Sequence, residues 1–163
     1  MKTTDFAIRP IQPEDIDQTA HIIREVMTDH GASGAGFSIH DAEVDDMYTA
    51  YQAERSAYFV IERDGIVYGG AGIAQLLGGD ADTCELKKMY FLPEARGKGL
   101  AIAIADRCLD AARSFGYQHC YLETITEMSA ANRFYQRYGF RTLERPMGAT
   151  GHSACSAFYV LEL

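Results

Sequence analysis

Arg96-Gly97-Lys98-Gly99-Leu100-Ala101 directly follows a strand-like run, Glu85-Leu86-Lys87-Lys88-Met89-Tyr90-Phe91, and directly precedes an alanine-rich helical segment. A backbone relieved of side chains by two glycines can turn its N–H groups toward an anion, and the helix starting there adds the positive end of its dipole. Arg96 and Lys98 supply further positive charge. The stretch reads as a phosphate-binding loop, with an ordinary strand-to-helix turn as the plainer reading of the hexapeptide taken alone. A P-loop would need Ser or Thr after Gly-Lys, where Gly99 stands, and the dinucleotide fingerprint would need a third glycine where Ile102 stands. What the stretch does match is Arg/Gln-x-x-Gly-x-Gly/Ala, as Arg96-x-x-Gly99-x-Ala101, with Pro93 three residues before the arginine.

Outward from this loop the elements follow from periodicity and punctuation. Toward the C-terminus come a helix over about residues 98–115, Gly116, a strand from Tyr117 to Ile125, and a short helix containing Ala131-Asn132-Arg133-Phe134-Tyr135-Gln136-Arg137-Tyr138 before Gly139-Phe140. Phe140 to Leu143 and Cys155 to Leu161 read as two closing strands. Toward the N-terminus, Gly78-Gly79-Asp80 is a turn, and Asp64-Gly65 is a hairpin turn between Ala57–Glu62 and Ile66–Leu76. Gly69, Gly70 and Gly72 in that second strand predict a close backbone approach or a bulge. Phe6 to Arg9 reads as a first strand. Pro13 with Glu14 and Asp15 opens a helix striped by Ile16, Ala20, Ile23 and Met27. Gly31 to Gly36 is a connector, and Val44, Met47, Tyr48 and Tyr51 predict a second helix. The order β-α-α-β-β-β-α-β-α-β-β indicates a mixed α/β sheet.

Composition sets the limits. The chain has 163 residues, 47% of them apolar, enough for one domain with an ordinary core. Residues 1–80 hold 5 Lys+Arg and 14 Asp+Glu, whereas residues 81–163 hold 10 and 9. An acidic chain without a basic stripe argues against nucleic acid, and an acidic rim suits cationic amines or simply solubility. No apolar run reaches the roughly 18 residues of a membrane span, and Met1 to Phe6 has no leader-like apolar stretch, so a cytoplasmic protein without a membrane partner is expected. Cys84, Cys108, Cys120 and Cys155 form no C-x-x-C pair and read as free core thiols. A metal site would have to combine His152 and Cys155 with His119 and Cys120; the expectation is no metal.

The order strand, proline, Arg-x-x-Gly-x-Ala, helix, strand, Phe-Tyr-x-x-x-Gly-Phe resembles the GNAT superfamily of acyl-CoA-dependent N-acetyltransferases. The matching motifs cover about residues 83–145. The resemblance implies a single-domain α/β GNAT fold over 1–163, a mixed, mostly antiparallel sheet of about seven strands flanked by about four helices. It also implies acetyl-CoA as co-substrate. In the family the strand before the proline splays from its neighbour and its main chain pairs with the pantetheine arm, which assigns Met89, Tyr90 and Phe91. The pyrophosphate would lie on the amides of Arg96, Gly97, Lys98, Gly99, Leu100 and Ala101.

Tyr135 falls on the family tyrosine that faces the CoA sulfur, where a phenol protonated at neutral pH can serve a thiolate leaving group. Family members often carry an asparagine seven residues before this tyrosine; Met128 stands there, and Asn132 is the substitute the sequence offers. The acceptor amine must lose a proton. Glu85 is the first choice of base, since it stands four residues before Met89, where the resemblance implies the base of some family members, and strand alternation would put Glu85, Lys87 and Met89 on one face. Glu123 on the paired strand is the alternative. The segment Gly148 to Cys155, with His152, resembles the Gly-His-x-x-Cys of a bacterial subgroup with small-molecule, amino-acid-like acceptors. The resulting expectation is direct acetyl transfer to a primary amine of a small molecule, an amino acid among the options, with Glu123 and His152 at the acceptor. Acylation of a protein N-terminus or lysine, and a non-catalytic acyl-CoA-binding regulatory module, are the alternatives; a homodimer is allowed.

Overall fold

A computed structural model describes residues 5–163; residues 1–4, the start of the segment read above for a leader, lie outside it. One seven-stranded sheet runs in the order β1-β2-β3-β4-β5-β7-β6. The strands are β1 (Ala7–Pro10), β2 (Ala57–Arg63), β3 (Ile66–Gln75), β4 (Thr83–Phe91), β5 (His119–Thr124), β6 (Arg141–Leu143) and β7 (Ala157–Glu162). All neighbours are antiparallel except β4 and β5. Asp64 and Gly65 both have positive φ, as a two-residue hairpin turn demands, and join β2 to β3.

The helices are α1 (Ile16–Asp29), α2 (Met47–Ala50), α3 (Leu100–Ser114) and α4 (Ser129–Tyr138). Strand alternation divides the core between the two sheet faces. Tyr58 and Val60 of β2 meet Ile23, Val26 and Met27 of α1, whereas Phe59 and Ile61 meet Leu100, Ile104 and Cys108 of α3. Each such aliphatic removed from water contributes about 1.5–3 kcal/mol.

The predicted second helix is not continuous. Val44, Met47 and Tyr51 are buried as expected, but Asp46 leaves helical geometry at φ −152° and its carboxylate accepts the Thr49 N–H at 2.9 Å. An N-cap here ends one short 3-10 turn (Ala42–Asp45) and starts a one-turn helix.

The glycines of β3 are packed upon as predicted. A Cβ on Gly70 or Gly72 would fall within 2.6 Å of the Tyr58 ring. The bulge expected there is carried by the partner strand. Gly70 pairs with Tyr90 and Gly72 with Lys87, so Ala71 opposes two residues, and Lys88 takes up the excess with φ +52°. The alternation expected for β4 therefore fails. Lys87 and Lys88 both reach Glu43, while Met89 joins the core on the other face with Leu86. Beyond the bulge β4 continues to Phe91, but its pairing with β5 stops at Glu85–Tyr121. The two parallel strands thus separate as expected.

Candidate active site

The opening between β4 and β5 carries two adjoining cavities. A groove of about 430 Å³ runs along the start of α3 and is lined by Met89, Tyr90, Phe91, Arg96, Gly97, Gly99, Leu100 and Ala101. A tighter cleft of about 70 Å³ lies on the other side and is lined by Glu85, Lys87, Lys88, Glu123, His152 and Cys155 among others. Met89, Tyr90, Met128, Ala131 and Tyr135 wall both. Tyr135 is held there by rings of Phe134, Phe140 and Tyr159, and burial pushes its phenol well above the ordinary value, so it stays protonated.

The groove's polar resource is backbone. The N–H groups of Gly97, Lys98, Gly99 and Leu100 donate to no backbone carbonyl among the described residues. Gly97 and Gly99 have φ +69° and +75°, conformations that suit glycine, and space beside both is open. The Arg96 guanidinium turns inward and donates twice to the Phe91 carbonyl, at 3.0 and 2.8 Å, fixing the loop to the end of β4. Lys98 is exposed and does not line the groove. Asn132 is likewise placed apart from it. Its amide donates to the carbonyls of Ile125 and Met128 and accepts from Tyr159, so it anchors the turn before α4.

The cleft is built from charged side chains contributed by four stretches of chain. The His152 imidazole reaches Glu123 through Nδ1 at 2.8 Å and Asp41 through Nε2 at 2.9 Å. Those bonds, to Asp41 first and Glu123 second, outweigh burial and raise its pKa to about 9, so both nitrogens donate at neutral pH. Burial opposes ionisation of Asp41, but His152 and Lys88 overcome it and hold the acid at about 2. Lys88 Nζ donates to Asp41 and Glu43 at 2.8 and 2.9 Å, and Lys87 Nζ lies 2.8 Å from Glu43. Glu123 accepts from Thr150, Tyr121 and His152, which together keep it below the usual carboxylate value against burial.

Glu85 differs from all of these. It is only 5% exposed, faces the cleft, and has no hydrogen-bond or ion-pair partner among the described residues. Burial pushes its carboxyl up to about 7, with Lys87 opposing and Glu123 adding to the shift. One ligating atom each from Glu85, Glu123 and His152 lie within 4.8 Å of one another, but an imidazole donating through both nitrogens has no lone pair for a cation. The other sequence option for a metal does not assemble, since Cys120 is fully buried and joins no such group. All four cysteines are free, and burial pushes Cys155 up to about 12.

Asp41, Glu43 and Lys88 carried no functional assignment in the sequence. The signals were present only as an acidic run around residues 41–46 and a lysine pair inside a strand. No helix of the described residues is long and apolar enough to cross a membrane.

Residues 21–140 match the Acetyltransferase (GNAT) family. The chain is 39% identical over 157 residues to the uncharacterized N-acetyltransferase YjgM of Escherichia coli (strain K12), covering 96% of this chain and 94% of that one. Among solved structures, a GNAT acetyltransferase of Staphylococcus aureus Mu50 superposes with a TM-score of 0.83 at 16% identity, covering 96% of this chain and 98% of that one. The acetyltransferase yncA of Salmonella typhimurium, solved with its cofactor acetyl-CoA, gives 0.76 at 21% identity over 98% and 94% of the two chains. The overall fold is therefore shared with these structures, and the chain belongs to the GNAT family of acetyltransferases.

Proposed function

We propose that the protein transfers the acetyl group of acetyl-CoA directly to a primary amine of a small molecule. The observation that carries this reading is Glu85: a buried, unpartnered carboxyl with a pKa of about 7, facing a cleft that meets the groove at Tyr135. The groove fits acetyl-CoA in chemistry. Free amides at a helix start and open space at two glycines suit a pyrophosphate, and the unpaired side of Met89, Tyr90 and Phe91 offers main-chain groups to a pantetheine arm.

Bound there, acetyl-CoA supplies an activated carbonyl with a thiolate leaving group. The protein's own contribution is proton handling and position. An amine arriving as ammonium meets the Glu85 carboxylate, which takes its proton directly or through water; a base with a pKa near the working pH suits that task. Tyr135, neutral and at the shared wall, donates a hydrogen bond toward the groove side, where negative charge on sulfur develops. Glu123 and His152, locked to each other and to Asp41, hold the cleft's shape and charge around the acceptor.

The narrowness of the cleft favours a small acceptor over a peptide. Thiol release from acetyl-CoA, measured across small amines and peptides, tests the reading. Amine-dependent release with small amines is expected. Release with peptides only would make this a protein acetyltransferase, and tight acetyl-CoA binding with no turnover would leave a sensing module.

A further inference from the structure

The charges of the cleft can be counted, and the count does not close. Three cations, Lys87, Lys88 and His152, are each bonded to one or two of three carboxylates, Asp41, Glu43 and Glu123. That set is neutral and internally satisfied. Lys88 has a side chain only 1% exposed and His152 one only 9% exposed, so neither can turn away from its carboxylates to meet a ligand without stranding a buried charge. Thr150, the other polar group of the closing loop aimed at the cleft, is spent on Glu123 and on the His152 N–H. Glu85 remains, buried beyond nine-tenths, unpartnered, and within 4.8 Å of a second carboxylate.

Resting on the acetyl-transfer reading above, we propose that this cleft selects primary amines that carry no carboxylate beside the amino group, so that free α-amino acids are excluded as acceptors. An ammonium supplies the single positive charge that an ionised Glu85 lacks. A carboxylate one carbon away would arrive beside Glu85 and Glu123 with Lys87, Lys88 and His152 all already paired, leaving no unpaired cation among the lining side chains to offset it. The remaining lining carries no charge, and its apolar members, including Met27, Phe37, Ile125 and Met128, suit an alkyl or aryl substituent in that place. The polar loop from Gly148 to Cys155 reads in sequence as a set of groups offered to an amino acid; folded, its Thr150 and His152 close the charge network instead.

Matched acceptors separate this selectivity from activity as such. Thiol release from acetyl-CoA is measured with leucine, leucinamide and 3-methylbutylamine, and with phenylalanine, phenylalaninamide and phenethylamine, at a fixed concentration of free base. The amide and the decarboxylated amine should each exceed the amino acid in kcat/KM by about tenfold or more, the lower end of what an unpaired, partly buried charge produces. Equal or greater kcat/KM for the amino acids overturns the selectivity while leaving acetyl transfer standing; release with none of the six, in protein that still binds acetyl-CoA by calorimetry, overturns both. Asp41→Asn provides a second reading. It removes one negative charge and leaves His152 paired with Glu123, so the preference against amino acids should shrink several-fold relative to wild type. A ratio that stays unchanged in folded Asp41→Asn protein overturns the charge count.

Discussion

The groove at the start of α3 and the cleft under the 144–156 loop share a wall, yet they leave different things uncommitted. Along the groove the side chains are turned away or absent, and what is free is backbone: four consecutive N–H groups from Gly97 to Leu100. In the cleft nearly every charged side chain is spoken for, and the one left free among the described residues is the carboxyl of Glu85. A ligand held by backbone tolerates side-chain change around it, whereas a ligand held against a closed charge network is sensitive to each member. The two halves of one site should therefore respond to mutation in different ways.

The largest effect should come from the cleft's single free group. Glu85→Gln keeps shape and removes the base, so kcat should fall by about a hundredfold, within the range of lost general-base catalysis, with acetyl-CoA affinity unchanged by calorimetry. A loss of cofactor affinity equal to the loss in kcat would erase the distinction between the two regions.

Next comes the shared wall. Tyr135→Phe should lower kcat by about tenfold and leave both KM values nearly as they were, because the ring packing against Phe134, Phe140 and Tyr159 survives. Wild-type turnover in that variant would make Tyr135 a core residue only.

For the groove, Gly99→Val should weaken acetyl-CoA binding by several-fold to about tenfold through lost amide contacts, with the amine's KM unmoved. Its positive φ also costs stability of about 1–2 kcal/mol, although a Cβ there meets nothing within 4 Å. Unchanged affinity in a folded variant would remove the loop from the cofactor site.

The smallest effect is on stability and belongs to the charge network. A histidine whose pKa rises on folding from 6.5 to about 9 contributes stability that is full below about pH 6.5 and is lost as pH climbs through 9. Melting temperature should therefore fall by about 3 °C between pH 8 and 9.5, a window above most of the Glu85 titration, and His152→Gln should flatten that slope. A slope that persists in His152→Gln would place the titrating group elsewhere.

The same contrast explains what the sequence made legible. Gly97 and Gly99 announce themselves because a backbone binding site needs particular residue types at short spacing, next to a strand and a helix that periodicity also reveals. The order of elements along the chain and the Asp64-Gly65 hairpin were legible for the same local reason. Glu85 and His152 were singled out through the family resemblance and Glu123 by its place on the paired strand, and the structure brings all three to one cleft. Asp41 and Glu43 were not found, because their meaning lies in contacts made 45 to 111 residues away in the chain, with Lys88 and His152. The second helix failed for a short-range reason that a hydrophobic stripe does not encode: Asp46 bonds its own N–H neighbour at Thr49 and restarts the helix. The glycines of β3 pointed to a bulge, but periodicity could not say that the extra residue would sit across the ladder, at Lys88.

That extra residue acts as a phase shift in a two-beat signal. Ahead of Lys88, the odd positions of β4, Glu85 and Lys87, face the cleft; past it, the even position Tyr90 packs with the core on that side, while Met89 and Phe91 pack against the opposite core, Met89 still reaching the wall between the two cavities. One strand thus carries two messages written in opposite parity, one on each side of the bulge. A side-chain change in either half leaves the other's reading frame intact. The shift itself is fixed by a single left-handed residue rather than by either message.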